Sequence, residues 1–334
     1  MLILAIESSC DDTAAAVLED GRKVLSNIIS SQFEVHAKYG GIVPELASRC
    51  HIEAIWPVID EALTTANVAL DEIDLIAATQ GPGLVGSLLV GFTFAKSLAM
   101  VKKLPCTGVD HMAGHLLAIM LENRQPAFPY TALVVSGGNT SLFSAKSTTH
   151  FSLQGRTRDD AAGEAFDKVA KLLDLGYPGG PVVSEHARQG NPKAIAFPRA
   201  WLDKGSLDFS FSGLKTSVVN YVNRCRQRNE AIGINDICAS FEQAVVDVLV
   251  EKTIMAAQQA GHDRIVIGGG VAANAELRKQ LQRRCTEEDL KAFMPTPVYC
   301  TDNAAMIGLA GYHQYLAGHT VTPDADAFSR SPLN

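Results

Sequence analysis

The sequence predicts an α/β protein made of two lobes that repeat one pattern. Its 334 residues exceed the ~100 to 150 residues of a typical domain. Strand-like apolar segments alternate with helical segments along the chain, as expected for an α/β architecture. The strand, turn and strand of residues 2–18 return at residues 131–145, which indicates an internal duplication.

The first predicted lobe, residues 1–125, begins with a hairpin around a turn of Ser, Ser, Cys, Asp and Asp. An amphipathic segment, a strand and a helix follow, each bounded by Gly, Pro or Asn. The predicted elements are strands at 2–7, 13–18, 23–29 and 74–79, the amphipathic segment at 44–66, and a helix from Val85 to about Lys102.

The second predicted lobe, residues 126–334, opens with TALVVS and TSLFSA around the turn Gly137-Gly138-Asn139. The rest is mainly helical, with one buried strand, and its final helix is free to pack back on the first lobe. No low-complexity linker separates the halves, so we expect the lobes to share a tight cleft. The predicted elements are helices near 160–175, 211–227 and 236–260, the strand 264–270, a helix from about Ala272 and a last helix from Asn303.

Composition and charge limit the function classes. Hydrophobic residues make up 47% and charged residues 19% of the chain, which is typical of globular proteins and excludes disorder. A formal net charge of −7 excludes a protein that coats nucleic acid by bulk attraction. Local contacts remain open at two basic stretches, residues 224–228 and 278–284, whose alternative interpretation is a solvated helix face.

The chain also indicates its compartment. Its seven cysteines form no CxxC pair, which favours reduced thiols. The apolar N-terminus lacks a basic leader and reaches Glu7 early, and no stretch approaches the ~20 apolar residues of a membrane span. We therefore expect a cytoplasmic protein without a membrane contact.

The segment VDHMAGHLL suggests a metal site. His111 and His115 stand four residues apart and share one face of a helix. Asp302, at a predicted helix start, is a candidate third ligand in a two-histidine, one-carboxylate set. Met112 occupies the position where zinc proteases carry their Glu base, which argues against a protease. Spacing alone leaves open two unrelated histidines on a helix surface.

Five Gly-rich or small-residue turns suggest nucleotide binding, since exposed backbone NH groups bind phosphate. Each is weak alone, but together they favour a nucleotide cleft. The nearby carboxylates could hold a metal, orient a ribose or act as a base, while Asp159 and Asp160 could equally be helix N-caps. The turns are 7–13, 81–87, 136–141, 176–181 and 268–274, and the carboxylates are Asp11, Asp12, Asp159, Asp160, Glu164 and Asp167.

Long motifs in a fixed order resemble the TsaD family over essentially the whole chain: KSLAMVKKLPCTGVDHMAGHLL, VVSGGNTSL, DDAAGEAFDKVAKLLDLGYPGGP, DFSFSGLKTS, GGGVAAN and CTDNAAMIG. This family, formerly labelled O-sialoglycoprotein endopeptidase, is understood as the tRNA threonylcarbamoyladenosine transferase. The resemblance implies an actin-like ATPase fold with two duplicated lobes around a nucleotide cleft.

By this resemblance, His111, His115 and Asp302 are metal ligands for Fe²⁺ or Zn²⁺, and Asp11 is a candidate catalytic carboxylate. Asn139 departs from the pattern, because many bacterial relatives carry His there. The implied substrate-binding and nucleotide-binding residues are Val134, Val135, Ser136, Gly137, Gly138, Asp167, Gly180 and Asn274.

The activity implied by the resemblance is a metal-dependent acyl transfer. Threonylcarbamoyl would pass from threonylcarbamoyl-AMP to the exocyclic amine of adenosine 37 in tRNAs that read codons beginning with A, releasing AMP. The implied partners are tRNA, a TsaB-like paralogue and a TsaE-like P-loop ATPase, and the implied bound nucleotides include an adenine nucleotide, with Mg²⁺ where it is ATP. Two other classes stay open: a non-catalytic scaffold paralogue, and a small-molecule kinase or chaperone-type ATPase.

Overall fold

The computed structural model describes residues 1–201 and 205–333, and these form two compact units. The first unit contains Met1–Phe128, Ala145–Phe151 and the chain from Pro295 onward. The second contains Pro129–Ser144 and the described part of Ser152–Met294. The sequence-based boundary had placed all of 126–334 in the second lobe, with only the last helix free to return. The whole C-terminal segment belongs to the first unit.

The described residues form ten strands and eleven helices in an α/β arrangement. The strands are β1 (Leu2–Glu7), β2 (Asp12–Glu19), β3 (Lys23–Ser31), β4 (Leu75–Gly81), β5 (Cys106–Asp110), β6 (Tyr130–Val135), β7 (Thr140–Ala145), β8 (Phe151–Arg156), β9 (Arg264–Gly268) and β10 (Lys291–Phe293). The helices are α1 (Phe33–Ala37), α2 (Pro44–Ala66), α3 (Val85–Lys102), α4 (His111–Leu117), α5 (Ala162–Leu172), α6 (Gly179–Ala187), α7 (Ser212–Gln227), α8 (Ile234–Ala260), α9 (Ala275–Glu287), α10 (Pro297–Cys300) and α11 (Ala304–Leu316).

The first unit has a central sheet in the order β3-β2-β1-β4-β5. β1 pairs antiparallel with β2 and parallel with β4, and β4 pairs parallel with β5. Helices α2 and α3 cover one face, where Leu4, Ile6 and Phe92 join a common apolar core. The carboxyl ends of β1, β4 and β5 therefore meet at one edge of this sheet.

Helix α11 covers the opposite face of the first sheet at close range. A Cβ atom on Gly308 would lie 2.4 Å from the Leu18 side chain. A Cβ atom on Gly311 would lie 2.4 Å from the Cβ atom of Ala77. These two glycines let the helix backbone approach the strands more closely than any larger residue would allow.

The ends of the long helices follow from local chemistry. Helix α2 begins with Pro44, whose fixed φ suits the first turn, and ends at Asn67 in a left-handed conformation with φ 53°. Helix α3 likewise ends before a left-handed residue, Lys103, with φ 57°. The predicted bounds of both helices are confirmed because these signals are local.

Helix α3 is more apolar than the sequence-based expectation allowed, since no stretch was expected to approach the length of a membrane span. Its 18 residues have a mean hydropathy of 1.3, so by length and composition it could cross a membrane. Core helices of globular proteins pass the same test. Phe92, Ala95 and Ala99 of this helix lie in the core of the first unit, and its other apolar residues include the exposed Val85 and Leu89.

The second unit has a sheet in the order β10-β9-β6-β7-β8, with β6, β9 and β10 parallel. Written in the reverse direction, β8-β7-β6-β9-β10, this order matches that of the first sheet strand for strand, so the predicted duplication is confirmed.

One predicted helix boundary was wrong. Residues 270–273 form a 3₁₀ turn, and helix α9 begins after it, where the Asn274 side chain accepts a hydrogen bond from the backbone NH of Leu277.

After α11, residues 321–333, here called the C-terminal strap, run along the edge of the first sheet. The backbone NH of Val321 donates to the Cys106 carbonyl (2.8 Å), and that of Phe328 donates to the Gln80 carbonyl (3.0 Å). Lys96 Nζ donates to the carbonyls of Pro323 (3.0 Å) and Ala325 (2.5 Å). The strap is therefore fixed to β4, β5 and α3.

Candidate active site

The two candidate histidines lie on α4, which starts directly after β5. Asp110, the last residue of β5, caps this helix by accepting hydrogen bonds from the backbone NH groups of Met112 (2.8 Å) and Ala113 (3.3 Å). Ser331 of the C-terminal strap donates to the other oxygen of Asp110 (2.6 Å). The imidazole rings of His111 and His115 stand 4.7 Å apart at 89°.

Asp302 lies against both histidines. Its Oδ1 atom is 3.4 Å from His111 Nε2 and 3.1 Å from His115 Nε2. Asn303, which follows it, is fully buried and caps α11 by accepting a hydrogen bond from the Met306 NH (3.0 Å). The cap of α11 therefore sets the place of Asp302, although 187 residues separate it from His115 in sequence.

A third carboxylate, Glu7, lies behind His111 and was not predicted. It is fully buried at the end of β1. Its Oε2 atom is 2.9 Å from His111 Nδ1 and accepts the Thr79 hydroxyl (2.6 Å), while Oε1 accepts the Ser9 NH (2.5 Å). Glu7, Thr79 and His111 stand near the carboxyl ends of β1, β4 and β5, which are neighbours only in the folded sheet, so no local sequence signal brings them together.

The charges of this cluster depend on one another. Burial alone would lower the pKa of His111, but Asp302 and Glu7 outweigh it and raise that pKa well above its ordinary value. The pKa of Asp302 and that of Glu7 are held below their ordinary values by His111, against the opposing effect of burial. Burial lowers the pKa of His115. A positive charge at His111 therefore stabilises the two carboxylates on either side of it, Glu7 and Asp302.

These residues fit a divalent transition metal. The ligand atoms of His111, His115 and Asp302 all lie within 4.8 Å of one another. Both histidines are buried, and Asp302 is partly exposed. Two imidazoles with one carboxylate suit Fe²⁺ or Zn²⁺ and leave positions for other ligands.

Asp11 and Asp12 lie at the turn between β1 and β2, also in the first unit. Burial raises the pKa of Asp11, although a hydrogen bond from Cys10 opposes this. Burial raises the pKa of Asp12 to about 7. A carboxylate with a raised pKa is a better proton acceptor near neutral pH than an ordinary one.

The predicted SGG turn lies in the second unit, between β6 and β7. The side chains of Val134 and Val135 are fully buried in the sheet, so only their backbone is available to a ligand. The Ser136 NH donates to the Asn139 carbonyl (2.8 Å), and Gly137 and Gly138 are exposed with open space at their Cα atoms. This turn has the form of a backbone anion site.

Asp167 lies within α5, Gly180 in the first turn of α6 and Asn274 at the cap of α9, all in the second unit. Asp167 accepts a hydrogen bond from the Gly179 NH (2.7 Å) and so fixes the start of α6. Beside Gly180 there is open space. Asn274 Nδ2 donates to Ser184 Oγ (2.9 Å) and to Glu242 Oε1 (2.7 Å). Asn274 borders a cavity of about 260 Å³ that Ser184 and Glu242 line.

The remaining candidates have structural partners. Asp159 caps α7, not the α5 helix that follows it, by accepting from the NH groups of Phe211 (2.8 Å) and Ser212 (3.3 Å). Asp160 pairs with Lys168 (2.8 Å). In the basic stretch 278–284, Arg284 pairs with Glu251 (2.6 Å) and the neighbouring cations pair with acids on their own helix. Three of its four cations, Lys279, Arg283 and Arg284, therefore pair with acidic side chains, whereas Arg278 donates to the Ala272 carbonyl (3.2 Å).

Solved structures with little sequence similarity share this fold. The HypF structure from T. kodakarensis aligns with a TM-score of 0.63 and 15% identity, covering 95% of this chain and 48% of that one. Component A of (R)-2-hydroxyglutaryl-CoA dehydratase from Acidaminococcus fermentans aligns with a TM-score of 0.56 and 15% identity over 95% and 99% of the chains. The protein has the actin-like ATPase fold, with a two-histidine, one-carboxylate cluster in its first unit.

Sequence comparisons identify the family. The model of TsaD, tRNA N6-adenosine threonylcarbamoyltransferase, matches residues 23–309. Proteins of that name from Desulfotalea psychrophila and Syntrophotalea carbinolica are 59% and 53% identical, over 100% of this chain and 98% and 97% of theirs. A third, from Clostridioides difficile, is 49% identical over 100% and 99%. The chain belongs to the TsaD family of transferases.

Proposed function

We propose that this protein transfers a threonylcarbamoyl group to the N6 amine of an adenosine in tRNA. The observation that carries the proposal is the full-length identity, up to 59%, with transferases of that name. The spatial grouping of His111, His115 and Asp302 supports it, because these three residues stand in the motifs that carry the family resemblance. A non-catalytic paralogue would have no need for such a cluster.

The reaction we propose is an acyl transfer from threonylcarbamoyl-AMP to adenosine 37 of tRNAs that read codons beginning with A. The N6 amine attacks the carbamoyl carbon, a C–N bond forms, and the C–O bond to phosphate breaks. AMP leaves with the electron pair, and N6 loses a proton. Because the adenine ring delocalises the lone pair of this amine, the donor must be strongly activated, and a mixed anhydride is.

We assign roles to the predicted residues on chemical grounds. The exposed NH groups of Gly137 and Gly138 suit the donor phosphate, and the cavity beside Asn274 suits the rest of the adenylate. Asp167 acts through the start of α6, which it fixes. Asp11, with its raised pKa, is our candidate base for the N6 proton. An ATP molecule in the same cavity would bring Mg²⁺.

The proposed metal is Fe²⁺ or Zn²⁺ held by His111, His115 and Asp302. Such an ion, when bound, would act as a Lewis acid that binds threonylcarbamoyl-AMP and polarises its oxygen atoms. The residues themselves contribute burial and fixed geometry, since both histidines are closed off from solvent.

We propose a TsaB-like paralogue and a TsaE-like P-loop ATPase as partners, in the cytoplasm. An exposed apolar surface on α2 and α3 supports a protein partner. We name it the α2–α3 apolar surface, and it consists of Ile52, Trp56, Val85 and Leu89, which are 65%, 47%, 51% and 46% exposed. A chain of net charge −7 also benefits from a partner when it binds tRNA.

The direct test is mass spectrometry of nucleosides from tRNA incubated with this protein, its partners and a threonylcarbamoyl-AMP generating system. We expect threonylcarbamoyladenosine only when the chain is present. Product formation without this chain, or none with all components active, would reject the transferase. Turnover of ATP without tRNA in that second case would favour a kinase or chaperone-type ATPase.

A further inference from the structure

Glu7 is a buried carboxylate whose hydrogen-bond capacity is directed at the metal-site histidine. Three donors converge on it: the Thr79 hydroxyl (2.6 Å), the Ser9 NH (2.5 Å) and His111 Nδ1 (2.9 Å). It is fully buried, so no solvent competes for these bonds. Burying a carboxylate without such bonds is strongly unfavourable, so these three donors stabilise its charged form.

The contacts of Glu7 determine which nitrogen of His111 faces the proposed metal site. An ionised carboxylate only accepts hydrogen bonds, so His111 Nδ1 must carry the proton in this pair. The Ser9 hydroxyl lies 3.2 Å from the same nitrogen. Nε2, on the other side of the ring, faces Asp302 Oδ1 at 3.4 Å. The ring is thus oriented with Nε2 toward the shared ligand cluster.

His115 differs in this respect. Its Nε2 faces the same oxygen of Asp302 at 3.1 Å. Its Nδ1 atom is buried without a hydrogen-bond partner among the described residues. Glu7 therefore orients one of the two imidazoles through Nδ1, and the Nδ1 atom of the second has no such partner among the described residues.

We infer that Glu7 is a positioning residue of the proposed metal centre. By accepting a hydrogen bond from the Nδ1–H group of His111, it fixes the tautomer and the ring orientation that present Nε2 to the metal. Outer carboxylates of this kind orient metal-binding histidines and raise their basicity. Glu7 does not itself touch the ion. The inference rests on the proposed function only through the metal site.

Glutamine cannot replace Glu7 at this place. Its side chain has one accepting oxygen and one donating NH₂ group, while three donors converge on the position. If the oxygen faces His111 and Thr79, the NH₂ group opposes the Ser9 NH. If the amide flips, the NH₂ group faces His111 Nδ1 and favours the tautomer that carries its proton on Nε2. A protonated Nε2 has no free lone pair and cannot bind the metal.

The test measures Zn²⁺ affinity of the Glu7→Gln variant in the full chain, by competition with a chromophoric chelator. We expect a loss of about 10- to 100-fold relative to wild type. Thermal unfolding of the metal-free proteins separates this loss from damage to the fold. The matched control is Asp247→Asn, since Asp247 is a partly buried carboxylate in the second unit that accepts hydrogen bonds from Arg199 and Gln243. It should bind Zn²⁺ as wild type does.

A second measurement does not depend on the variant folding. In the Zn²⁺-loaded wild type, nitrogen NMR of labelled histidines should show His111 protonated at Nδ1 and bound through Nε2. Equal Zn²⁺ affinity of Glu7→Gln and wild type, or a His111 bound through Nδ1, would overturn the inference. A wild type that binds no Zn²⁺ would instead reject the metal assignment in the proposed function, and this inference with it.

Discussion

At the scale of single residues, the candidate metal centre joins groups from three distant parts of the chain. Glu7, His111 and Asp302 are brought together by a strand end, a helix start and a helix cap. Their pKa values are shifted by one another more than by solvent. A change at one of them therefore alters the protonation of the others.

Replacing both histidines, His111→Ala with His115→Ala, should abolish metal binding and transfer while the fold remains. The two imidazoles supply both nitrogen ligands of the proposed site, and one carboxylate cannot hold the ion. Metal content of the purified protein and the nucleoside assay measure the result. His319→Ala, an exposed histidine that contacts Gln314, is the control. Full activity of the double variant without metal would reject the metal assignment.

Asp12 predicts a pH dependence of stability in the metal-free protein. Burial raises its pKa to about 7, whereas an unfolded Asp has a pKa of about 3.9. The folded state thus holds an extra proton between these values, and the free energy of unfolding should fall as pH rises from about 4 to 7. Asp12→Asn should remove this fall, worth on the order of 4 kcal/mol.

Urea denaturation at several pH values measures this effect. The exposed Asp60→Asn change is the control, and its pH profile should follow that of wild type. Identical pH profiles for Asp12→Asn and wild type would show that Asp12 does not keep its proton.

Residue patterns predicted the candidate ligands, which the fold brings together, but not the carboxylate behind them. His111 and His115 were found because spacing of four residues is a local signal. Glu7 was missed because β1, β4 and β5 are neighbours only in the folded sheet, and strand order is not written in local sequence. Similarly, Asp159 has the sequence of an N-cap for α5, but it caps α7 across 52 residues.

At the scale of elements, the contact between α11 and the first sheet leaves no room for added atoms. Gly311 faces the Cβ atom of Ala77 and Thr107 Oγ1, neither of which is the end of a flexible chain. Helix bounds such as those of α2 and α3 were predictable from their caps. The start of α9 was not, since the Gly-rich segment before it forms a 3₁₀ turn.

Gly311→Ala should destabilise the protein by ~1 to 3 kcal/mol, because the new methyl group forces α11 away from the strands. Gly213→Ala is the matched control. Gly213 also lies in a helix, is exposed, and has open space at its Cα atom, so the change should stabilise by up to ~1 kcal/mol. Chemical denaturation compares them, and equal effects of the two changes would contradict the close packing of α11.

The α2–α3 apolar surface predicts a partner contact. Trp56→Glu places a charge at its centre, beside Phe94, whose ring centroid is 6.4 Å from that of Trp56. Binding of the TsaB-like paralogue should weaken about tenfold or more, as at other aromatic hot spots. Titration calorimetry measures it, with Leu316→Glu as control, since Leu316 is equally apolar and exposed at the end of α11. Equal loss in both variants would reject this surface.

At the scale of the whole molecule, the chain leaves the first unit after Phe128 and returns to complete it from Pro295 onward. The fold class and the duplication were readable from the sequence, since periodicity and repeated strands carry both. The return of the C-terminal segment was only partly foreseen, because the strap has no secondary structure of its own and is held by backbone hydrogen bonds.

Ending the chain at Thr320 should lower the thermal midpoint of the metal-free protein by several degrees. It removes the strap's bonds to Gln80, Cys106 and Lys96, and each net hydrogen bond contributes about 1 kcal/mol. Scanning calorimetry tests this, with Ser331→Ala as a smaller change that removes only the bonds of one hydroxyl, to Asp110 and to the Leu333 NH. An unchanged midpoint for the truncated chain would show that the strap contributes no stability.

The return of the chain also fixes an order of events during synthesis. The strands and α4 of the first unit leave the ribosome early, but Asp302 and α11 follow only after the entire second unit. A nascent or prematurely ended chain therefore presents two histidines without their carboxylate. Under the proposed function, only translation products that extend past Asp302 would carry all three ligands of the metal ion, so metal loading would separate them from shorter chains.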